Sequence, residues 1–79
     1  MPFVNVHTVK GLLTDTQKRE IQDRITDLLV EIEGRGDPGF RRLVWVKIDE
    51  AEPSEWSLGG MHVTPELVQR VVSRGGPQG

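Results

Sequence analysis

The stretch that decides the fold is the opening segment Met1-Pro2-Phe3-Val4-Asn5-Val6-His7-Thr8-Val9. Phenylalanine, valine and threonine favour strands, and here they follow one another closely. Because proline cannot donate a hydrogen bond to a sheet, it is tolerated at the first residue of a strand, which is where Pro2 stands. If Met1 is removed, Pro2 becomes a secondary amine held at a strand end. The segment therefore predicts a strand that begins with a nucleophilic, titratable group.

A long helix and a second strand are predicted next. Thr14 is a favourable N-cap, Gln17 completes a capping box, and apolar residues recur at helical spacing over residues 15–33, with Gly34 as the C-cap glycine. Residues 42–49 are predicted to form the second strand, with alternating faces: Val44, Val46 and Ile48 on one, and Leu43, Trp45 and Lys47 on the other. A strand, a helix and a strand predict a β-α-β unit with parallel strands, hence an α/β (α+β) fold.

The last third of the chain predicts a loop, a hairpin and a short helix. Residues 50–54 are interpreted as the loop, and residues 56–61 as a short extended piece ending in a turn at Gly59-Gly60. Thr64 then caps a second helix with Pro65 at its first position. Residues 1–79 are predicted to form a single domain, of which residues 74–79 are a disordered tail.

Composition narrows the classes of function. The chain has 79 residues, a net charge of −2 and no cysteine, which leaves no basic surface for nucleic acid and no disulfide or thiolate metal site. Neither histidine has a metal-ligand spacing, and no apolar run is long enough for a membrane span. We therefore expect a soluble cytoplasmic protein without a metal. A two-stranded sheet is not stable alone, so we also expect a homo-oligomer.

Three segments together resemble the 4-oxalocrotonate tautomerase family: residues 1–7, the helix start at residues 14–18 and the run Trp56-Ser57-Leu58-Gly59-Gly60. The resemblance extends to about Arg70. It implies a keto–enol tautomerase that needs no cofactor, acts on a small-molecule enol such as that of a 2-oxo acid, and uses Pro2 as its general base. It also implies a hexamer, with a dimer or trimer as alternatives. Trp56 matches the aromatic residue of the family's pocket, and we expect it to lower the pKa of the Pro2 amine.

Two departures from the family pattern concern the substrate. Members that act on dicarboxylates carry one arginine where this chain has Leu12-Leu13, and a second where it has Trp45. Both arginines are absent, which predicts a smaller or more apolar enol. Two readings stay open beside the tautomerase: a Pro2-dependent dehalogenase, hydratase or decarboxylase, and a non-catalytic subunit with this fold.

The candidate site is Pro2 as the catalytic residue with five substrate-binding candidates. Strand alternation places Arg41 on the same face as Trp45, and Lys10 lies in the first loop. His7 is interpreted first as a hydrogen-bonded structural residue of the strand and second as part of the site. The predicted substrate-binding set is therefore Trp56, Arg41, Trp45, Lys10 and His7.

Overall fold

The computed structural model describes residues 2–75. Two helices and four strands make up the fold, joined in part by two short 3₁₀ helices. In chain order they are β1 (Phe3–Val9), α1 (Asp15–Ile32), the first 3₁₀ helix (Pro38–Leu43), β2 (Trp45–Ala51), the second 3₁₀ helix (Pro53–Glu55), β3 (Ser57–Leu58), β4 (Met61–His62) and α2 (Pro65–Gly75).

β1 and β2 form a parallel two-stranded sheet, so the predicted α/β (α+β) fold is confirmed. Phe3 is the register partner of Trp45, and Val9 that of Ala51. The amide of Trp45 also donates a 3.0 Å hydrogen bond to the carbonyl of Pro2, which extends the pairing to the residue before β1. The amino ends of both strands therefore lie at one edge of the sheet, and the carboxyl ends at the other.

α1 covers one face of this sheet. Its capping box is present: the Gln17 amide donates to Thr14 Oγ1 at 3.1 Å, and the Thr14 amide donates to Gln17 Oε1 at 2.9 Å. Lys18 Nζ lies 2.5 Å from Glu50 Oε1 and joins the helix to β2. The hydrogen bond to that carboxylate raises the pKa of Lys18. The predicted alternation holds within β2, since Trp45 and Lys47 are exposed while Val46 and Ile48 are half-buried. It does not extend to Leu43, which belongs to the first 3₁₀ helix.

The connection between α1 and β2 differs from the prediction at both ends. α1 ends at Ile32, and the left-handed conformation falls on Arg35 (φ 54°) and Gly36 (φ 81°), so Gly34 is not the left-handed C-cap glycine. The strand begins at Trp45 rather than at residue 42, because Asp37 and Pro38 start a 3₁₀ helix that continues to Leu43. Local turn chemistry here prevails over the strand propensity of the residues that follow.

The predicted loop at residues 50–54 is also wrong in part. β2 continues through Ala51, Glu52 is the N-cap of the second 3₁₀ helix, and that helix begins at Pro53. The predicted hairpin is confirmed: β3 pairs with β4 around Gly59 (φ 63°) and Gly60 (φ 94°), which adopt the positive φ values of a tight hairpin turn.

α2 begins as predicted, with the Leu67 amide donating to Thr64 Oγ1 at 3.2 Å. Because α2 extends through Gly75, the predicted tail is wrong for residues 74 and 75, while residues 76–79 lie outside the described residues. Neither helix among residues 2–75 combines the length and the apolar character needed to cross a membrane.

The core of the described chain is small. Its buried apolar residues are Val44, Val63 and Val68. Large apolar side chains remain in solvent on both helices, on the sheet and on the hairpin: Phe3, Leu28, Ile32, Trp45, Leu58, Met61, Val71 and Val72 are each at least 40% exposed. A single chain therefore leaves much of its apolar surface uncovered.

Candidate active site

Pro2 is half-buried at the amino end of the sheet. Its carbonyl accepts the 3.0 Å hydrogen bond from Trp45, which ties the residue to the neighbouring strand. Met1 lies outside the described residues.

An aromatic pair lies next to Pro2. Phe3 and Trp45 are register partners on the sheet face that α1 does not cover, and they are 60% and 56% exposed. Neighbouring strands are about 4.8 Å apart, so the two side chains stand side by side. They form an apolar surface at the proline end of the sheet.

The first 3₁₀ helix brings two arginines to the same end. Arg41 Nη1 lies 2.6 Å from Asp27 Oδ1 of α1, so Arg41 faces the helix layer. The predicted placement of Arg41 beside Trp45 was wrong, because strand alternation does not apply inside a 3₁₀ helix. Arg42 is exposed and has no ion-pair partner among residues 2–75.

Trp56 and Lys10 lie at the opposite end of the sheet. The Trp56 indole Nε1 donates to the carbonyl of Ala51 at 3.3 Å, and the Lys10 amide donates to that same carbonyl at 2.8 Å. Lys10 Nζ is 3.2 Å from Glu52 Oε2. The six residue steps from Phe3 to Val9 span roughly 20 Å at the usual rise of a strand. One chain therefore does not bring Trp56 or Lys10 to Pro2.

His7 lies between these two ends on the uncovered face, opposite Asp49. The side-chain amide of Asn5 and the ammonium of Lys47 lower the pKa of the Asp49 carboxyl. The Lys47 ammonium lies 3.4 Å from that carboxylate. His7 is exposed beside this charged pair, and its hydrogen-bonded structural role stays a prediction. Its role in binding substrate stays a prediction.

Two further features bear on the chemistry. No group of three or more His, Cys, Asp or Glu side chains in the described part of the chain is arranged to hold a metal ion. A shallow cavity of about 250 Å³ lies along the first half of α1, lined by Leu13, Gln17, Glu20, Ile21 and Arg24. It includes none of the predicted site residues.

Arg42 is absent from the predicted substrate-binding set, which contains its neighbour Arg41. The sequence places it beside Arg41, and both have the same charge and exposure. Only the ion pair between Arg41 and Asp27, which are 14 residues apart, distinguishes the two arginines. The Asp37-Pro38-Gly39 turn was the one local signal that a 3₁₀ helix, not a strand, carries them.

Comparison with known proteins places this arrangement in a family. The family model described as "Tautomerase enzyme" matches residues 2–65. This chain is a member of the 4-oxalocrotonate tautomerase family. "Probable tautomerase K2" of Dickeya dadantii (strain 3937) is 38% identical to it over 69 residues, covering 87% of this chain and 97% of that relative.

Solved structures agree with the family assignment. The crystal structure of YwhB, a homologue of 4-oxalocrotonate tautomerase, superposes with a TM-score of 0.64 at 26% identity, covering 77% of this chain and 92% of that one. A structure described for trans-3-chloroacrylic acid dehalogenase activity superposes with a TM-score of 0.62 at 24% identity, covering 80% of this chain and all of that one. The second likeness establishes the shared fold alone.

Proposed function

We propose that this protein is a keto–enol tautomerase in which the amine of Pro2, after removal of Met1, is the general base. The observation that carries the proposal is the Pro2 carbonyl bound to the Trp45 amide at 3.0 Å, because it ties the proline to the sheet. Most chain termini are frayed and chemically idle. A terminal amine anchored at a strand end, in a member of the tautomerase family, is instead available for repeated proton transfer.

The chemistry requires a neutral amine. It takes a proton from the hydroxyl of an enol, or from the carbon next to a carbonyl, and returns it to another carbon of the same substrate. A free α-amine titrates at about 7.7–8.0 in model peptides, already near neutral pH. A general base is most effective when its pKa lies close to the working pH. An apolar surrounding disfavours the charged amine and lowers its pKa further into that range.

We expect the apolar surroundings of the Pro2 amine to come from two copies of the chain. Phe3 and Trp45 stand beside Pro2, but Trp56 lies roughly 20 Å away along the strand direction. If two copies pack with opposed strand directions, the Trp56 end of one meets the Pro2 end of the other. The exposed apolar side chains of the sheet, helices and hairpin supply surface for such packing. We therefore propose a homo-oligomer, a hexamer in preference to a dimer or trimer, as the active form.

Two other functions remain candidates. The dehalogenase neighbour shares the fold, and Pro2 acting on water or on a halogenated acid would give dehalogenation, hydration or decarboxylation. Leu12-Leu13 and Trp45, which replace the arginines of the dicarboxylate-specific members, favour a non-catalytic subunit. These candidates differ in whether Pro2 reacts at all, and on which substrate.

The test compares protein that begins at Pro2, verified by mass spectrometry, with a form that retains Met1. Both are given a panel of enols and halogenated acrylates. We expect turnover of enol only by the Pro2 form, because acylation turns the amine into an amide without a basic lone pair. Since protonation removes the base, the rate should fall as the pH decreases through the pKa of the amine. A halogenated propiolate should label the N-terminus alone.

The remaining outcomes separate the alternatives. Pro2→Ala keeps a terminal amine, although a primary and more mobile one, so partial loss of activity is expected. Turnover of acrylates but not enols would support the dehalogenase reading. A folded, Pro2-initiated protein that is inert toward the labelling reagent would support the non-catalytic subunit. Equal enol turnover by the Met1-retaining form would overturn the role of Pro2.

A further inference from the structure

We propose that Arg42 binds the carboxylate of the substrate, and that the substrate is the enol of a 2-oxo acid with one carboxylate and an apolar substituent. This inference rests on the proposed function of Pro2. Family members that act on dicarboxylates carry arginines at two positions, and Arg42 is at neither of them. Leucines and Trp45 occupy those two positions in this chain.

The geometry of the first 3₁₀ helix separates its two arginines. With three residues per turn, successive side chains leave the helix about 120° apart, and residues three apart share one side. Phe40 and Leu43 share the half-buried side. Arg41 projects toward α1, where it pairs with Asp27 at 2.6 Å. Arg42 belongs to the third side, which is exposed and carries no ion pair among residues 2–75.

Arg42 is also connected to Pro2 by a short path through the backbone. Arg42 is three residues before Trp45, and the Trp45 amide donates to the Pro2 carbonyl. Three residues span at most about 11 Å, and an arginine side chain is long enough to cover much of that interval. A small enol acid placed between the two residues would have its reacting atoms at the amine and its carboxylate at the guanidinium.

The number of available cations argues for one carboxylate. The guanidinium of Arg41 is already paired with Asp27, and Lys10 is at the far end of the sheet, paired with Glu52. Arg35 belongs to the turn after α1, in the helix layer. Lys47, the next residue on the uncovered face of β2 after Trp45, lies 3.4 Å from Asp49. Arg42 has no ion pair among residues 2–75 and is three residues before Trp45, the hydrogen-bond partner of Pro2. Its planar guanidinium matches a carboxylate with two parallel hydrogen bonds.

The aromatic pair argues for the apolar substituent. Phe3 and Trp45 are exposed side by side next to Pro2, on the uncovered face of the sheet. An aryl or branched alkyl group of the substrate would remove part of this surface from water, which stabilises the complex. A second carboxylate at that position would instead lose part of its hydration. The cation on that face, Lys47, is already paired with Asp49.

The experiment uses Pro2-initiated protein and two probes, phenylenolpyruvate and the enol of its methyl ester. The probes differ only in the charged carboxylate. We expect Arg42→Gln to raise KM for the acid by on the order of ten- to a hundredfold, the usual worth of a hydrogen bond to a charged group. The kcat for the acid and the KM for the ester should both change much less than the KM for the acid. Arg42→Lys keeps the charge and should restore part of the affinity for the acid.

Arg19→Gln is the matched control, because Arg19 is an exposed arginine near the start of α1, at the end of the sheet away from Pro2. It removes the same charge and should leave the conversion of both probes unaffected.

Equal effects of Arg42→Gln on the KM for the acid and for the ester would overturn the inference. So would a loss of acid affinity caused by Arg41→Gln or Arg35→Gln but not by Arg42→Gln. If wild-type protein converts neither probe, the proposed tautomerase activity on such enols fails, and this inference fails with it. If wild-type protein converts the probes and Arg42→Gln has no effect, only the inference about Arg42 is overturned.

Discussion

At the scale of single residues, Gly34 stands where α1 meets the first 3₁₀ helix. A Cβ at this position would lie 2.7 Å from three atoms of Phe40, including the Cβ of Phe40. Rotation of the Phe40 ring cannot relieve a contact with an atom fixed to the backbone. Glycine is therefore needed here for close packing and not for a left-handed backbone, which Arg35 and Gly36 adopt instead.

We expect Gly34→Ala to lower the free energy of unfolding by about 1–3 kcal/mol, the usual cost of overpacking. Urea denaturation at one fixed protein concentration measures it. Gly39→Ala is the control, because its new Cβ would meet its nearest atom at an ordinary 3.4 Å. The explanation fails if both variants unfold at the same urea concentration.

At the scale of secondary-structure elements, the two helices start with caps of unequal strength. The N-cap of α1 has two reciprocal hydrogen bonds, between Thr14 and Gln17. The N-cap of α2 has one side-chain hydrogen bond, from the Leu67 amide to Thr64, and leucine cannot return a second. The longer helix, which carries the contacts with β2, therefore has the better-satisfied start.

We expect Thr14→Ala to cost about 1 kcal/mol of stability, because an alanine leaves the Gln17 amide without its acceptor. Thr64→Ala should cost less, since it removes one bond from a shorter and more exposed helix. Thermal unfolding followed by circular dichroism compares the two. Thr14→Ser keeps the hydroxyl and should behave almost as wild type; an equal loss with serine would assign the effect to the threonine methyl group instead.

At the scale of the whole molecule, the distribution of exposed apolar residues is the dominant feature. They lie on the uncovered sheet face, on the flank of α1, on the hairpin and on α2. Exposed apolar surface spread over several elements is typical of chains that associate. A small domain without disulfides has few other sources of stability. The proposed oligomer would supply both the missing burial and the second half of the site.

We expect Trp45→Ala to weaken assembly before it unfolds the chain, because Trp45 is 56% exposed and contributes little to the contact with α1. Sedimentation velocity over a range of protein concentrations should show dissociation of the variant at concentrations where wild type stays assembled. Val46→Ala, on the half-buried face toward α1, is the control and should instead lower the stability of the fold. A wild-type chain that sediments as a stable folded monomer at micromolar concentration would contradict the oligomer altogether.

The sequence by itself determined the features whose causes are local. Pro2 before β1, the Thr14 and Gln17 capping box, the glycine pair of the hairpin and the Thr64 cap were all predictable, because each depends on residues within four positions of one another. The parallel pairing was also predictable, since a strand, a long helix and a strand leave few other arrangements. The family resemblance added the role proposed for Pro2.

Only the tertiary structure decided which side chains meet across the chain. The ion pair of Arg41 with Asp27, the contact between Gly34 and Phe40, and the position of Trp56 far from Pro2 all depend on how separate elements pack. Residue spacing specifies a face or a turn but not the partner that lies opposite it. For that reason the sequence proposed one pocket containing both Pro2 and Trp56, whereas the fold puts them at opposite ends of one sheet.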